Sequence, residues 1–235
     1  QDLMELFYNK HIDSQTKEFI LEEGENNHII KVLRKKQGDI IEFTNGNNIS
    51  FKTKIITIAK KSSTFKIISR KKINPPPHLH IGISILKSPS RFEVFLEKAV
   101  EIGVSEITPI ICERTYKKTI NSKRLNKILI SALKQSFKYN LPKLNNPIDF
   151  KNFIKLKNEK NKLIATCEEY NKSHLSNEYN IKMKNLILIG PEGDFSKKEL
   201  DESKNSGFKF VSLGDTRLRA ETAGIMACAI FSFIK

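Results

Sequence analysis

A chain of 235 residues that is 39% hydrophobic and holds 15 Phe is long enough to bury one large core or two modest ones, which excludes a disordered tail or linker. Its net charge of +15, from 34 Lys and 7 Arg against 26 acids, favours a polyanionic partner, although abundant Lys, Asn and Ile also fit an A/T-rich coding bias. No apolar run approaches the roughly 18 residues that cross a membrane, and no charged start precedes an apolar signal segment, so no membrane partner and a cytoplasmic location are expected.

The chain opens Gln1-Asp2-Leu3-Met4, and Met4 is read as the natural start with three added residues before it. A helix is expected near Glu25 to Leu33, where Ile29, Ile30, Val32 and Leu33 supply an apolar stripe. Asp39 to Thr44 and Ile49 to Ile58 read as strands joined by an Asn45-Gly46-Asn47 turn, and Thr64 to Ser69 continues the pattern. Residues 1–72 therefore predict a small β-barrel with a helix. Ile73-Asn74-Pro75-Pro76-Pro77-His78 continues neither helix nor central strand and reads as a stiff linker over 73–78.

From residue 79 to 235 the pattern changes to alternating strand and helix. Leu79 to Leu86 is a strand, and Ser88-Pro89 opens a helix that Gly103 ends after Ile102, with Ser88 expected to cap it. Ile107 to Cys112 is a strand and Ser122 to Lys138 a helix; Lys162 to Thr166 and Asn185 to Ile189 are short strands. Ser196-Lys197-Lys198-Glu199 is a capping box, with Gly207 as the stop of its helix. Phe210 to Leu213 is a strand, and Arg219 to Ile234 an apolar helix. This alternation predicts an α/β domain with a parallel sheet covered by helices.

Cys112, Cys167 and Cys228 form no CxxC pair and combine with no His at zinc spacing, so reduced, mostly buried thiols are expected, with no disulfide and no metal. Ligands of open parallel sheets sit beyond the carboxyl ends of strands. Three loops fall there: Ala165-Thr166-Cys167-Glu168-Glu169, Ile189-Gly190-Pro191-Glu192-Gly193-Asp194-Phe195, and Leu213-Gly214-Asp215-Thr216-Arg217-Leu218-Arg219-Ala220-Glu221-Thr222. Gly190 and Gly193 allow close approach of backbone to a ligand, although each loop by itself reads more readily as a plain strand-to-helix turn.

Together the second and third loops resemble the cofactor-binding signature of the RsmE family, the 16S ribosomal RNA uridine N3-methyltransferases of the SPOUT superfamily. His28-Ile29-Ile30-Lys31-Val32-Leu33-Arg34 is similar to that family's N-terminal motif, in a barrel related to PUA RNA-binding domains. Arg91-Phe92-Glu93 followed by Glu97-Lys98-Ala99-Val100-Glu101-Ile102-Gly103-Val104 is similar to its first knot-domain helix. The resemblance implies a PUA-like barrel, a C-terminal domain with a trefoil knot, a homodimer, and S-adenosylmethionine as cofactor. Thr166, Cys167, Ile189, Gly190, Pro191, Glu192, Gly193, Leu213, Gly214, Leu218, Arg219 and Thr222 would bind that cofactor, with adenine held by backbone near Gly190 and Leu213 to Leu218. Asp194 stands where many members have Gly, Ala220 where many have Thr, and Lys134-Gln135-Ser136-Phe137-Lys138 where Glu-Gln-Ser-Gly-Arg is usual.

Methyl transfer from a sulfonium is a direct displacement that depends on positioning. Uridine N3 becomes a nucleophile on losing its proton, and a cation beside the uracil favours the anion. Arg219, at the start of the last helix, is the first choice for that cation; a salt bridge to Glu221, Glu192 or the cofactor is its alternative role. Glu221 is a candidate base, but an acid in a helix's first turn reads more readily as a cap or a partner of the helix dipole. Lys31, Arg34, Arg91, Lys98 and Arg114 are the candidates for contact with 16S ribosomal RNA or the small ribosomal subunit. Two other classes fit the same sequence: a catalytically silent RNA-binding or ribosome-assembly factor, and an enzyme using another adenine-containing ligand. A dinucleotide enzyme is disfavoured because no GxGxxG follows a strand.

Overall fold

The computed structural model describes residues 5–156 and 160–234, with the side chain of residue 156 outside the description; the reading of Met4 also lies outside it. The chain groups into two units, one running to Pro75 and taking in Leu133–Leu141, the other made of Pro76–Ala132 and the chain from Pro142 onward.

The first unit is a curled sheet of five strands: β1 (Leu6–Tyr8), β2 (Glu18–Glu22), β3 (Ile40–Thr44), β4 (Ile49–Ile58) and β5 (Ser62–Lys72). Their order is β1-β3-β4-β5-β2, antiparallel except for the β1–β3 pair. Two register shifts between β4 and β5, at Lys52/Thr53 and Ile55/Thr57, bend the ribbon. Alternation along β4 turns Phe51, Thr53 and Ile55 inward, where they pack with Phe7, Phe43 and Phe65. The sequence pattern predicts neither β1, which is only three residues long, nor β2, none of whose residues is fully buried. The expected first helix divides in two: α1 (Gly24–Asn27) runs into a π-helical turn over His28–Val32, after which Arg34 takes a left-handed conformation (φ +54°).

The segment Leu133–Leu141 belongs with this unit by direct bonding. Asn48 N donates to Tyr139 O at 2.7 Å, Leu141 N to Gly46 O at 2.9 Å, and Tyr139 Oη to Glu42 Oε1 at 2.7 Å. Gly46 (φ +79°) has the Leu141 side chain so near that a Cβ there would lie 2.7 Å from it, which is why the Asn45–Asn47 turn needs its glycine.

The second unit is an eight-stranded, all-parallel sheet. It is built from β6 (Leu79–Ser84), α2 (Pro89–Ile102), β7 (Glu106–Ile111), α3 (Ser122–Gln135), β8 (Lys143–Leu144), β9 (Ile148–Asp149), α4 (Phe150–Leu156), β10 (Asn161–Ala165), β11 (Ser173–His174), α5 (Leu175–Glu178), β12 (Asn185–Ile189), α6 (Lys197–Asn205), β13 (Lys209–Ser212) and α7 (Ala220–Phe233). The strand order is β11-β13-β10-β12-β6-β7-β8, with β9 beside β7. Every residue of β6 and β12 is buried, as expected of central strands covered on both faces.

Helix ends follow the sequence at α2 and α6, but α3 stops at Gln135, short of the expected Lys138, because Phe137 takes a left-handed conformation (φ +53°). Gly103 closes α2 in the left-handed conformation (φ +113°), and Ser196 with Glu199 forms the full capping box of α6. Ser88 stands at the N-cap of α2 but does not cap it, because its hydroxyl lies 2.9 Å from that of Ser90. Against β6, α7 packs beside α2 so closely that a Cβ on Gly224 would lie 2.6 Å from the Phe95 ring.

Candidate functional site

The three loops leave β10, β12 and β13, which are neighbours in the sheet, so parallel order alone gathers them at one edge. They surround a cavity of about 570 Å³ in the second unit. Of the expected cofactor-binding residues, Thr166, Cys167, Ile189, Gly190, Pro191, Glu192, Leu213, Gly214, Leu218 and Arg219 line it; Gly193 and Thr222 lie in the same loops without lining the space. Ile189, Val211, Leu213, Leu218 and Ala223 supply apolar wall, and Lys172, Asp194, Asp215 and Arg217 add charges that the sequence reading left out.

Loop shape follows from its residues. A Cβ on Gly190 would meet the Phe195 ring at 3.1 Å and its amide nitrogen at 3.2 Å, so this loop folds tightly over the buried Phe195. Gly214 sits at φ +133°, a conformation that side chains resist, and turns the third loop away from β13.

Asp194 joins two of the loops. Its Oδ2 accepts from Thr166 Oγ1 at 2.9 Å and from Cys167 N at 2.8 Å, and its Oδ1 accepts from Phe195 N at 2.7 Å. It holds this position with φ +62°, where Asp is among the few side chains that tolerate the strain. Lys172 steadies the first loop further by donating to Thr166 O at 3.1 Å and Glu168 O at 2.6 Å. On the other side Glu192 Oε1 accepts from Lys87 N at 3.0 Å, and Arg114 Nη1 donates to Gly193 O.

Arg219 stands at the N-cap of α7, exposed on the cavity rim. It pairs with no carboxylate among the described residues, so its alternative role as partner of Glu221 or Glu192 is absent here. Glu221, in the first turn of α7, instead has Arg91 Nε 3.7 Å from its Oε1, and its buried Oε2 has no hydrogen-bond partner. Of the other RNA candidates in this unit, Lys98 is engaged by Glu97 (2.9 Å) and Glu101 (2.8 Å), and those two carboxylates hold its pKa above the usual lysine value. Lys31 and Arg34 are exposed on and just after the π-helical turn of the first unit.

Burial pushes the Cys228 thiol up to about 12 and raises Cys112 too, whereas Cys167 is exposed in the first loop. Among the described residues no three His, Cys, Asp or Glu are grouped to hold a metal, and no helix is long and apolar enough to cross a membrane.

A family model described as an RNA methyltransferase domain matches residues 74–232, and one described as an RNA methyltransferase PUA domain matches residues 21–68. The ribosomal RNA small subunit methyltransferase E of Mesomycoplasma hyopneumoniae is 32% identical over 91% of this chain and 93% of its own. A crystal structure from Porphyromonas gingivalis superposes with TM-score 0.87 at 37% identity, covering 96% of this chain and 95% of that one. A ribosomal RNA small subunit methyltransferase E from Neisseria gonorrhoeae, solved bound to S-adenosyl methionine, gives TM-score 0.86 at 27% identity, covering 97% and 96%.

Proposed function

Because the chain belongs to the ribosomal RNA small subunit methyltransferase E family, we propose that it methylates N3 of a specific uridine in the 16S ribosomal RNA of the small subunit, using S-adenosylmethionine. The observation that carries this reading is the three-loop cavity. Its volume of about 570 Å³ falls within the range of small-molecule sites, and it joins an apolar wall to loop backbone and a few charges, the mixture that an adenosine with a charged amino-acid tail requires. The fit extends to Gly190, whose missing side chain keeps the loop close over Phe195.

S-adenosylmethionine, when bound, supplies a methyl group activated by its sulfonium. The rest of the work falls to this chain. Loop backbone from Ile189 to Pro191 and from Leu213 to Leu218 holds the adenosine, and Asp194 fixes the spacing of the first two loops. Arg219, at the positive end of α7 and without a carboxylate partner among the described residues, stabilises the uracil as its N3 proton leaves. Glu221, in the first turn of the same helix and steadied by Arg91 Nε at 3.7 Å, is the candidate acceptor of that proton. Lys31, Arg34, Arg91, Lys98 and Arg114 meet RNA phosphates in this reading, with Lys98 the weakest because two carboxylates already hold it. The same reading carries a PUA-like domain over 1–72 joined by residues 73–78 to the methyltransferase domain over 79–235, a trefoil knot in the latter, a homodimer and a cytoplasmic location.

The test is methylation of small subunits, or their RNA, from a strain that lacks the modification, with the product base identified by mass spectrometry. Arg219→Ala should lower turnover at saturating cofactor about a hundredfold while the fold stays intact. Absence of methyl transfer by the unaltered protein would leave the catalytically silent RNA-binding factor as the reading.

A further inference from the structure

Beyond the cofactor cavity, the loop after β7 carries an aromatic ring with no partner in any core. Tyr116 is 79% exposed, the most open large hydrophobic side chain among the described residues of the second unit after Phe233 at the end of α7. A lone exposed tyrosine needs no explanation. The rest of this loop gives the ring a setting that a stray side chain would not have.

The root of the loop is fixed. Thr115, the residue before it, is buried; its Oγ1 accepts from Cys112 N at 2.8 Å and lies 2.8 Å from Ser84 Oγ. Next to it, Arg114 donates to Gly193 O in the second cofactor loop. Lys87 makes a second tie: its backbone nitrogen donates to Glu192, and its Nζ lies 5.4 Å from the centre of the Tyr116 ring. Ring and cation are therefore both anchored to residues of the loop that encloses the cofactor cavity.

The charge around the ring is one-sided. Lys117 and Lys118 follow it in sequence, both exposed, and Arg114 precedes it. The nearest acid in the loop, Glu113, has its backbone nitrogen bonded to Glu199, which holds that residue against α6. An open aromatic face with cations on either side, on a stem that need not reorganise, is the arrangement by which proteins stack an unpaired base and hold its flanking phosphates.

We propose that Tyr116 is a stacking platform for an unpaired base of the RNA, with Lys87, Lys117 and Lys118 meeting the adjoining phosphates, so that the strand is held beside the cofactor cavity. This rests on the RNA methyltransferase reading and adds the position and the chemistry of one RNA contact. Lys87 covers one face of the ring, and the base takes the other.

The experiment measures affinity for a short single-stranded RNA carrying 2-aminopurine, alongside calorimetry with S-adenosylmethionine, for the full chain and for Tyr116→Ala, Tyr116→Phe and Tyr116→Trp. Because the ring is exposed, none of these changes disturbs the core. Tyr116→Ala should weaken RNA binding about 5- to 150-fold and remove the quenching of 2-aminopurine that stacking produces, with cofactor affinity unchanged. Tyr116→Phe and Tyr116→Trp should retain both binding and quenching. Replacing Lys117 and Lys118 together by Ala should make the salt dependence of binding shallower by about 1.4 in log–log slope, as two lost phosphate contacts require. RNA affinity and quenching unchanged in Tyr116→Ala would overturn the proposal, as would an equal loss in the Phe and Trp variants. Methylation by the unaltered chain tests the function separately: turnover with an indifferent Tyr116 removes the platform alone, and loss of quenching without turnover keeps the platform and removes the enzyme.

Discussion

The Asp194 carboxylate receives the Thr166 hydroxyl at 2.9 Å across a separation of 28 residues, and the same oxygen takes the next amide, from Cys167. Two loops that leave different strands are thereby set at a fixed spacing before any ligand arrives. Hydrogen bonds to a charged acceptor contribute about 1.5–3 kcal/mol each. Asp194→Asn turns an acceptor into a donor toward at least one of its three donors, and should weaken S-adenosylmethionine binding about tenfold or more by calorimetry. Asp194→Gly removes the clamp while leaving the positive φ unstrained, and should weaken binding as well. If Gly binds the cofactor as tightly as Asp, the clamp has no part in affinity.

The thiols offer a probe of the same loop. With Cys112 and Cys228 buried and their ionisation displaced upward, Cys228 to about 12, neither supplies thiolate near neutral pH. Native protein at pH 8 should therefore react with a disulfide reagent through Cys167 alone, and unfolded protein through all three cysteines. Saturating S-adenosylmethionine should slow the native reaction, since Cys167 lines the cavity. A second fast thiol in the native state would show that one of the two cores opens.

Glycine at the crossing of α7 and α2 serves packing. In most helices Gly→Ala is stabilising by up to about 1 kcal/mol. At Gly224 the added carbon would lie 2.6 Å from the ring of the fully buried Phe95, so overpacking wins and Gly224→Ala should destabilise by about 1–3 kcal/mol. Urea unfolding decides the sign, and a more stable Gly224→Ala would mean that Phe95 has room to move.

Alkaline pH should reveal Tyr139. Burial, aided by its hydrogen bond to Glu42, raises its pKa from 10.0 to about 12. The folded state thus favours the protonated phenol more than the unfolded chain does. That contribution is complete below about pH 10 and is lost as pH rises toward 12. Unfolding measured at a series of pH values should show a shallower alkaline decline for Tyr139→Phe than for the parent chain.

Features governed by neighbours in sequence were legible in it. Ser196 and Glu199 are three residues apart and form their capping box; Gly103 ends α2 because it alone accepts the left-handed turn there. The cofactor loops were legible because a parallel sheet must bring its carboxyl-end turns to one edge. Asp194 was visible only as a departure from a pattern, since its partners lie 27 and 28 residues away and no local rule joins them. Likewise Lys172 and Glu221 owe their surroundings to loops and helices brought together by the fold. The π-helical turn at His28–Val32 keeps nearly the period of an α-helix, so its apolar stripe gave the helix without the distortion.

The return of Leu133–Leu141 to the first unit bears on how this protein is made. On the ribosome, the strands through β5 can pair as soon as they emerge, but the Asn48 amide and the Gly46 carbonyl receive their partners only once Tyr139 and Leu141 have been synthesised. The N-terminal unit is therefore completed after more than half of the chain exists, and a gene fragment cut at the proline linker would encode it with the turn between β3 and β4 left bare.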